Sequence, residues 1–275
     1  MIKLKRTCCA TVFMSLVLRI AQITDPHLFA ESNERLLGVR TTDSFVALVN
    51  QLQQLNPRPD LLLLTGDLSQ DGSVASYKRL QTLLSPVGIP VYWLPGNHDC
   101  VEAMTQTLNH ALFQPDKSFH RSGWQFILLN SQDPGCVHGR LSQESLQWLD
   151  RELSCSNAPT LVSLHHPPFA VNSNWLDTSI LQNTPEFLAV LDRHPQVKLV
   201  VFGHIHQEYE QTRNGITFLG TPSTCIQFEP ESANFALGHQ EPGFRMINLY
   251  TNGQWNSQVQ RVEFACPLDL AATGY

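Results

Sequence analysis

The sequence predicts an α/β fold that becomes α+β in its second half, with two β-sheets stacked between helices as a four-layer αββα sandwich. Five short apolar runs rich in Val, Ile or Leu have the composition of strands buried on both faces. Segments with helical spacing of apolar residues separate these runs. From Ile216 onward short strand patterns follow one another, and we expect them to form a second, more antiparallel sheet layer.

The five apolar runs share one plan, in which a strand ends directly in polar groups. The strands are predicted at residues 19–24, 61–64, 91–94, 161–164 and 198–202. They run into Asp25-Pro26-His27, Gly66-Asp67, Gly96-Asn97-His98-Asp99, His165-His166 and Gly203-His204-Ile205-His206. Ligand sites of open α/β sheets lie outside the carboxyl ends of the strands. We therefore expect these five ends to converge on one cleft.

Helices are predicted where apolar residues recur at helical spacing. They cover Thr42–Leu55, Ser73–Leu84, Val101–Leu112, a segment opened by Ser142, and Thr184–Arg193. Further strands are predicted at Trp124–Asn130, Ile216–Leu219, Thr224–Phe228, Phe244–Leu249 and Gln258–Phe264. The alternation continues without a long linker or a repeat, which favours a single domain.

The composition is that of an ordinary globular protein. The chain has 275 residues, of which 42% are hydrophobic and 15% charged, and this argues against disorder. We expect one domain over residues 19–265 and a C-terminal tail at 266–275. The formal net charge is −6, and no Lys/Arg cluster follows the first six residues. This balance argues against a dedicated nucleic-acid binder.

Residues 1–18 are predicted to be a leader or an extended N-terminus. Basic residues precede an apolar stretch, as in a signal peptide, but no small-x-small cleavage site follows. The stretch is also too short to span a bilayer. A non-essential leader or an upstream start codon is therefore favoured over export. Seven scattered cysteines without C-x-x-C spacing favour free thiols. We expect a cytoplasmic protein without a membrane partner.

Seven side chains at the strand ends have the chemistry of metal ligands, namely Asp25, His27, Asp67, Asn97, His165, His204 and His206. Each motif alone is weak, since an Asp after a strand commonly caps a turn. We expect Asp25 and His27 to share a face, as residues i and i+2 of a strand do. Seven oxygen and nitrogen donors exceed the needs of one ion and fit two ions that share a carboxylate. The donor set suits Fe, Mn or Zn, and such pairs hydrolyse phosphate esters.

The same segments resemble the calcineurin-like metallophosphoesterases, whose motif series is D-x-H, GD, GNH-[D/E], H and GH-x-H. All five motifs are present in order, and the resemblance covers roughly residues 19 to 265. Additional stretches resemble the bacterial class III 3′,5′-cyclic-AMP phosphodiesterases, namely 23–29, 36–39, 66–71, 93–99, 138–142, 175–177, 203–208 and 220–228. The resemblance implies two divalent ions per chain, iron first, with manganese, magnesium or zinc as alternatives.

The resemblance also implies a role for each residue. One ion would be held by Asp25, His27 and His206, the other by Asn97, His165 and His204, with Asp67 bridging the two. His166 would be structural or support a ligand. Hydroxide held between the ions would open the cyclic ester to 5′-AMP. As a hypothesis about the mechanism, His98, which is not a ligand, is the catalytic acid that protonates the leaving 3′ oxygen, and a structural histidine that caps the turn is the less favoured alternative. The expected substrate contacts are His27, Asp67, Asn97, His98, His165 and His206.

One departure concerns the residue that supports His98. Many members of the family place an Asp three residues after the bridging Asp, and here that position is Gln70. Asp71 follows, and its support for His98 is left open. The loop that ends in Phe228 is a candidate to stack on the base, with a core strand as an equal alternative. His138 and Arg140 either approach the cleft or lie on a solvent-facing loop, and the loop is favoured.

The leading function is hydrolysis of 3′,5′-cyclic AMP, which would lower its cellular level. The alternative is a broader metallophosphatase, nucleotide pyrophosphatase or nuclease on the same metal core. A non-catalytic scaffold would have lost ligands, and none is missing. Ser163 and Cys100 lack the motif of an activated nucleophile. The expected partner is a cyclic nucleotide and not a nucleic acid, and the oligomeric state is left open.

Overall fold

A computed structural model describes residues 15–109, 112–265 and 267–274. The strands in this part of the chain are β1 Leu16–Ile23, β2 Arg35–Leu36, β3 Val39–Arg40, β4 Leu61–Thr65, β5 Val91–Leu94, β6 Phe113–Gln114, β7 Ser118–Arg121, β8 Trp124–Leu128, β9 Thr160–Ser163, β10 Val197–Phe202, β11 Tyr209–Arg213, β12 Ile216–Gly220, β13 Gln227–Phe228, β14 Leu237–Gly238, β15 Gly243–Tyr250 and β16 Trp255–Arg261. The helices are α1 Thr41–Gln54, α2 Val74–Leu84, α3 Val101–Thr107, α4 Gln143–Ser154 and α5 Thr184–Leu191. Short 3₁₀ turns lie at Ser85–Val87 and Leu176–Thr178.

The strands form two large sheets. The first has the order β16-β15-β1-β4-β5-β6 and the second β11-β12-β10-β9-β8-β7. Strands β1, β4, β5 and β6 run parallel, as do β8, β9, β10 and β12. The three strands that end in Asp25, Asp67 and Asn97 therefore lie in one sheet, and the two that end in His165 and His204 lie in the other.

The expectation that the strands from Ile216 onward form the second sheet holds for β12, which pairs with β10 there, and is wrong for β15 and β16. Strand β15 instead pairs antiparallel with β1, with Ile20 opposite Ile247, and β16 pairs with β15 at the edge of the first sheet. The second sheet is built from residues 118–220 and is mainly parallel. The apolar pattern of β15 fits either sheet, because both offer a buried face, so pairing with β1 decided the outcome.

The core confirms the four-layer αββα arrangement. One apolar cluster lies between the two sheets and includes Ile20, Leu61, Leu94, Leu161 and Val201. A second joins the outer face of the first sheet to α1, α2 and α3. A third joins the outer face of the second sheet to α4 and α5. Strands buried on both faces need apolar residues at consecutive positions, which explains the unbroken runs in the sequence.

Several predicted boundaries moved. β1 begins at Leu16, inside the expected leader, and residues 1–14 of that leader lie outside the described residues. Helix α3 ends at Thr107, short of the predicted Leu112. Of the predicted strand Thr224–Phe228 only Gln227–Phe228 forms one, paired with β14. Among the described residues, no helix combines the length and the apolar composition that a bilayer span requires.

Candidate metal centre

The carboxyl ends of the five strands meet at one edge of the sandwich. Backbone hydrogen bonds continue past the strands, because the N–H groups of Asp25 and His27 donate to the carbonyls of Gly66 and Asp67, each at 3.0 Å. Across the two sheets, the N–H of His204 donates to the carboxylate of Asp25 at 3.1 Å. The predicted convergence on one cleft is confirmed for all five ends.

The way in which Asp25 and His27 come together differs from the prediction. Strand β1 ends at Ile23, so the two residues do not share a strand face. They have left-handed backbone conformations instead, with φ of 52° and 45°. Asp67, His204 and His206 adopt the same conformation, with φ of 49°, 69° and 50°. Non-glycine residues in this region are uncommon and cluster at functional sites, held there by their surroundings.

Close approach of backbone to side chain requires glycine beside the cluster. A Cβ atom on Gly96 would overlap the carboxylate of Asp67, and one on Gly66 would overlap the ring of His165. Gly66 also has a φ of +96°. The glycines of the Gly-Asp and Gly-Asn-His-Asp motifs therefore permit the carboxylate and the imidazole to lie against the neighbouring strand end.

The ligand atoms of the predicted residues lie within reach of one another. Nε2 of His206 is 3.4 Å from Oδ1 of Asp25, and Nε2 of His165 is 3.2 Å from Oδ2 of Asp67. Four sets of donors at this edge have all their ligand atoms within 4.8 Å, namely Asp25–His27–His206, Asp25–Asp67–His165, His165–His166–His204 and His27–Asp67–His98. The acids and histidines among them are almost fully buried. This arrangement has the size of a centre for two ions rather than one.

Unpaired polar atoms test whether the cluster fits metal ions. Four buried atoms of the candidate ligands make no hydrogen bond of good geometry within the described chain: Oδ2 of Asp67, Oδ1 of Asn97, Nε2 of His165 and Nδ1 of His204. A buried polar atom without a partner costs free energy. Oxygen and nitrogen atoms left open in one place are the donor set that Fe, Mn or Zn prefers. The residues therefore fit a pair of such cations.

Hydrogen bonds on the opposite ring nitrogens orient the histidines. Nδ1 of His165 donates to the carbonyl of Thr65 at 2.8 Å, and Nδ1 of His206 donates to that of Ile226 at 2.9 Å. His27 uses Nδ1 with Oε1 of Gln70 at 2.6 Å, and His204 uses Nε2 with the hydroxyl of Ser179 at 2.9 Å. Such bonds fix the tautomer of a metal-binding histidine and leave the other nitrogen for the ion.

The electrostatics couple His165 to the acids. Burial lowers the pKa of His165, but the negative charges of Asp67 and Asp25 outweigh it and raise that pKa to about 9. Burial raises the pKa of Asp67, but the positive charge of His165, 3.2 Å away, holds that pKa well below its usual range. Burial lowers the pKa of His27 to about 3. Without ions, a proton on His165 thus compensates the buried acids.

A buried glutamine lies beneath the centre and was not found from the sequence. Gln22 of β1 donates through Nε2 to Oγ1 of Thr65 at 3.0 Å and to the carbonyl of Phe202 at 3.1 Å. Its Oε1 accepts from the hydroxyl of Thr221 at 2.7 Å. These bonds tie the two sheets together directly below the strand ends. The only sign of this bridge in the sequence was one polar residue inside the apolar run of β1.

His98 stands at the edge of the cluster. Its ring is half-buried and lies edge-on to that of His27, with centroids 5.1 Å apart, and its N–H donates to Oδ1 of Asp67 at 2.9 Å. Asp71 accepts from the N–H groups of Ala30 and Ser73 at 2.7 and 3.0 Å, which anchors the loop before α2. Gln70, which stands where many members of the family have Asp, contacts the candidate ligand His27.

A cavity of about 260 Å³ opens beside the cluster. Its lining includes Asn97, His98, Cys136, Trp175, His204 and Phe228. The ring of Phe228 stacks on that of His206 with centroids 4.2 Å apart, and Phe228 is only 1% exposed. Both interpretations of Phe228 hold in part, since it is a core residue whose edge reaches the cavity. Nε1 of Trp175 is buried without a hydrogen-bond partner, a feature that the sequence did not reveal.

The remaining candidates, His166, His138 and Arg140, are not among the residues that line this cavity. Both nitrogens of His166 are engaged, with the hydroxyl of Ser131 at 2.8 Å and the carbonyl of Val137 at 3.1 Å. This supports a structural role for His166. His138 and Arg140 lie on a partly exposed loop, both close to Asp133, at 3.2 and 3.7 Å.

Comparisons with known proteins agree with this geometry. Residues 18–208 match the family described as calcineurin-like phosphoesterase. A 3′,5′-cyclic-nucleotide phosphodiesterase of Nostoc sp. is 51% identical over 94% of this chain and 97% of its own. The 3′,5′-cyclic adenosine monophosphate phosphodiesterase CpdA of Escherichia coli K12 is 42% identical over 94% of each chain. A dimetal phosphatase from Danio rerio has the same fold, with a TM-score of 0.63 at 17% identity over 90% of this chain and 100% of its own.

Proposed function

The chain belongs to the calcineurin-like phosphoesterase family, and we propose that it hydrolyses 3′,5′-cyclic AMP to 5′-AMP at a two-metal centre. The observation that carries the proposal is the set of buried, partly unpaired donors, two of which, Asn97 and His204, line the cavity. The substrate follows from the relatives, because proteins similar over nearly their whole length are cyclic-nucleotide phosphodiesterases.

In the proposed centre Asp25, His27 and His206 would hold one ion, Asn97, His165 and His204 would hold the other, and Asp67 would be shared by both. Iron is the first choice, with manganese, magnesium or zinc as alternatives, since all accept oxygen and nitrogen ligands. When bound, the ions supply Lewis acidity, which lowers the pKa of water and neutralises charge on a phosphodiester.

The residues of the chain would position the substrate and transfer the proton. Asn97 and the imidazoles of His27, His165 and His206 would position the phosphodiester, and Asp67 would act on it through the ions. His98 lines the cavity and is half-buried, so its ring can meet a bound substrate. We assign it the proton that passes to the leaving 3′ oxygen.

The walls of the cavity would hold the base and ribose. Trp175 and Phe228 are in edge-to-face contact, with centroids 4.8 Å apart, and form an aromatic wall. The buried indole N–H of Trp175 is a donor without an acceptor. A ring nitrogen of adenine would supply that acceptor, so Trp175 is proposed to contact the base.

Product analysis on a substrate panel tests the function. Purified protein would be assayed on 3′,5′-cyclic AMP, 3′,5′-cyclic GMP, 2′,3′-cyclic AMP and an aryl phosphodiester. We expect 5′-AMP from 3′,5′-cyclic AMP with the highest kcat/KM of the panel. The proposal is wrong if cyclic AMP stays intact while aryl phosphates are turned over.

His98→Ala tests the proton donor. We expect turnover of cyclic AMP to fall about 10²–10⁴-fold, the usual contribution of general acid catalysis, while the metal content stays unchanged. A nitrophenolate leaving group needs no proton, so the loss on an aryl phosphodiester should be far smaller. His120→Ala, on an exposed strand residue, serves as the control. Equal losses on both substrates would contradict the assignment.

A further inference from the structure

A loop outside the proposed two-metal centre carries three different metal-ligand types. We call residues 133–138 the rim loop. Its turn is closed by the N–H of Cys136, which donates to the carbonyl of Asp133 at 3.0 Å. Its ends are held by the N–H of Gly139 on the carbonyl of Ile180 and by pairing of Gly139 with Gln132. The rim loop is therefore a fixed turn rather than a free excursion of the chain.

The three donors on the rim loop are Asp133, Cys136 and His138. One carboxylate oxygen, the thiol sulfur and one imidazole nitrogen all lie within 4.8 Å of one another. All three side chains are partly exposed, and Cys136 is a free cysteine. None of them is needed for the proposed two-metal centre, whose ligands are oxygen and nitrogen atoms only.

The spacing suits a tetrahedral ion. Zn²⁺ binds nitrogen and oxygen at about 2.0–2.2 Å, which puts two such ligands about 3.3 Å apart at a tetrahedral angle. Nε2 of His138 and Oδ2 of Asp133 are 3.2 Å apart and form a hydrogen bond, which an ion would replace at nearly the same spacing. A thiolate, an imidazole and a carboxylate together select a borderline-soft cation over Mg²⁺ or Ca²⁺.

We infer that Asp133, Cys136 and His138 form a third metal site, which takes Zn²⁺ or a similarly thiophilic divalent cation with its fourth position open. Arg140 is the natural competitor, because its Nε lies 3.7 Å from the same oxygen of Asp133. The ion would replace this ion pair and convert the thiol of Cys136 to a thiolate.

The position of the site ties it to the cavity. Gly135, Cys136 and Val137 line the same cavity as Asn97 and His98. The carbonyl of Val137 also accepts from Nε2 of His166 at 3.1 Å. An ion bound to Cys136 would occupy space at this wall of the cavity, beside Asn97 and His98, so excess zinc should inhibit turnover through the rim loop.

Spectroscopy on the full-length protein tests the site. With the two-metal centre filled by Mn²⁺, Co²⁺ or Cd²⁺ would be added and the thiolate-to-metal charge-transfer band followed. The centre offers no sulfur ligand, so the band reports the rim loop. We expect a band of one equivalent that is lost in Cys136→Ser and kept in Cys155→Ser, which removes an exposed cysteine at the end of α4.

Two further variants sharpen the test. His138→Gln should weaken binding, whereas Arg140→Gln should tighten it severalfold by removing the competitor. An unchanged band in Cys136→Ser overturns the site. If the band is present but zinc inhibits wild type and Cys136→Ser equally, the site exists and its coupling to the cavity is rejected. The charge-transfer band needs no substrate, and inhibition can be followed on any phosphodiester that the protein turns over, so the cyclic-AMP proposal and this site fail separately.

Discussion

Replacing Gln22 by Met tests the idea that one buried amide holds the two sheets in register beneath the metal centre. Met has nearly the same length but neither donates nor accepts a strong hydrogen bond. The side chain of Gln22 is fully buried, so water does not replace the lost bonds. The substitution keeps the shape of the core and removes only the polar bridge.

The magnitude follows from what each partner loses. Oγ1 of Thr65 loses its donor, and the hydroxyl of Thr221 loses its acceptor. The carbonyl of Phe202 keeps the N–H of Thr221 at 3.1 Å, so it is not orphaned. Two unsatisfied buried groups cost about 2–6 kcal/mol together. For a domain of this size that corresponds to a fall in Tm of roughly 4–24 °C.

Urea unfolding of the metal-free protein measures the effect without the contribution of bound ions. Gln51→Met is the matched control, because the amide of Gln51 makes one partly buried bond to the carbonyl of Arg261. We expect the control to cost less than about 1 kcal/mol. A Gln22→Met variant within about 1 kcal/mol of wild type would refute the bridge.

Three further predictions concern the centre and the cavity. Gln70→Ala removes the acceptor of His27 and should weaken ion binding about 10–100-fold in a chelator competition; unchanged affinity would contradict the support role. Ion binding should release a proton from His165 at pH 7, because burial lowers its pKa but Asp67 raises it to about 9. Affinity should therefore rise with pH up to about 9, and calorimetry that gives the same heat in buffers of different ionisation enthalpy would exclude the release. Trp175→Phe should raise KM for cyclic AMP on the order of tenfold and leave kcat unchanged. An unaltered KM would show that the indole N–H does not contact the substrate.

Local sequence patterns were sufficient for the elements that deliver the donors. A buried parallel strand must be apolar at successive positions, and the chain must leave it through a turn rich in Gly, Asp or His. Both signals lie within about ten residues. Strands β4, β5 and β10, and the donors Asp67 and His204, were therefore predicted where the structure places them.

Pairing between distant segments could not be predicted from any local sequence pattern. The choice between the two sheets for β15 depends on contacts between residues 20 and 247. The bridge from Gln22 spans 180 residues to Phe202. A single polar residue in an apolar run has no periodicity, so the sequence does not indicate its hydrogen-bond partners. They are defined only by the packing of the two sheets.

The sequence by itself determined the fold class, the two-metal chemistry and which residues stand at the strand ends, because these depend on composition, period and neighbouring turns. Only the tertiary structure decided how those residues meet. It decided that left-handed backbone positions rather than a strand face bring Asp25 to His27, and that Gln70 supports His27 while Asp71 holds a loop. The physical reason is that hydrogen-bond partners and tautomers depend on packing between layers, which forms only when the whole chain has folded.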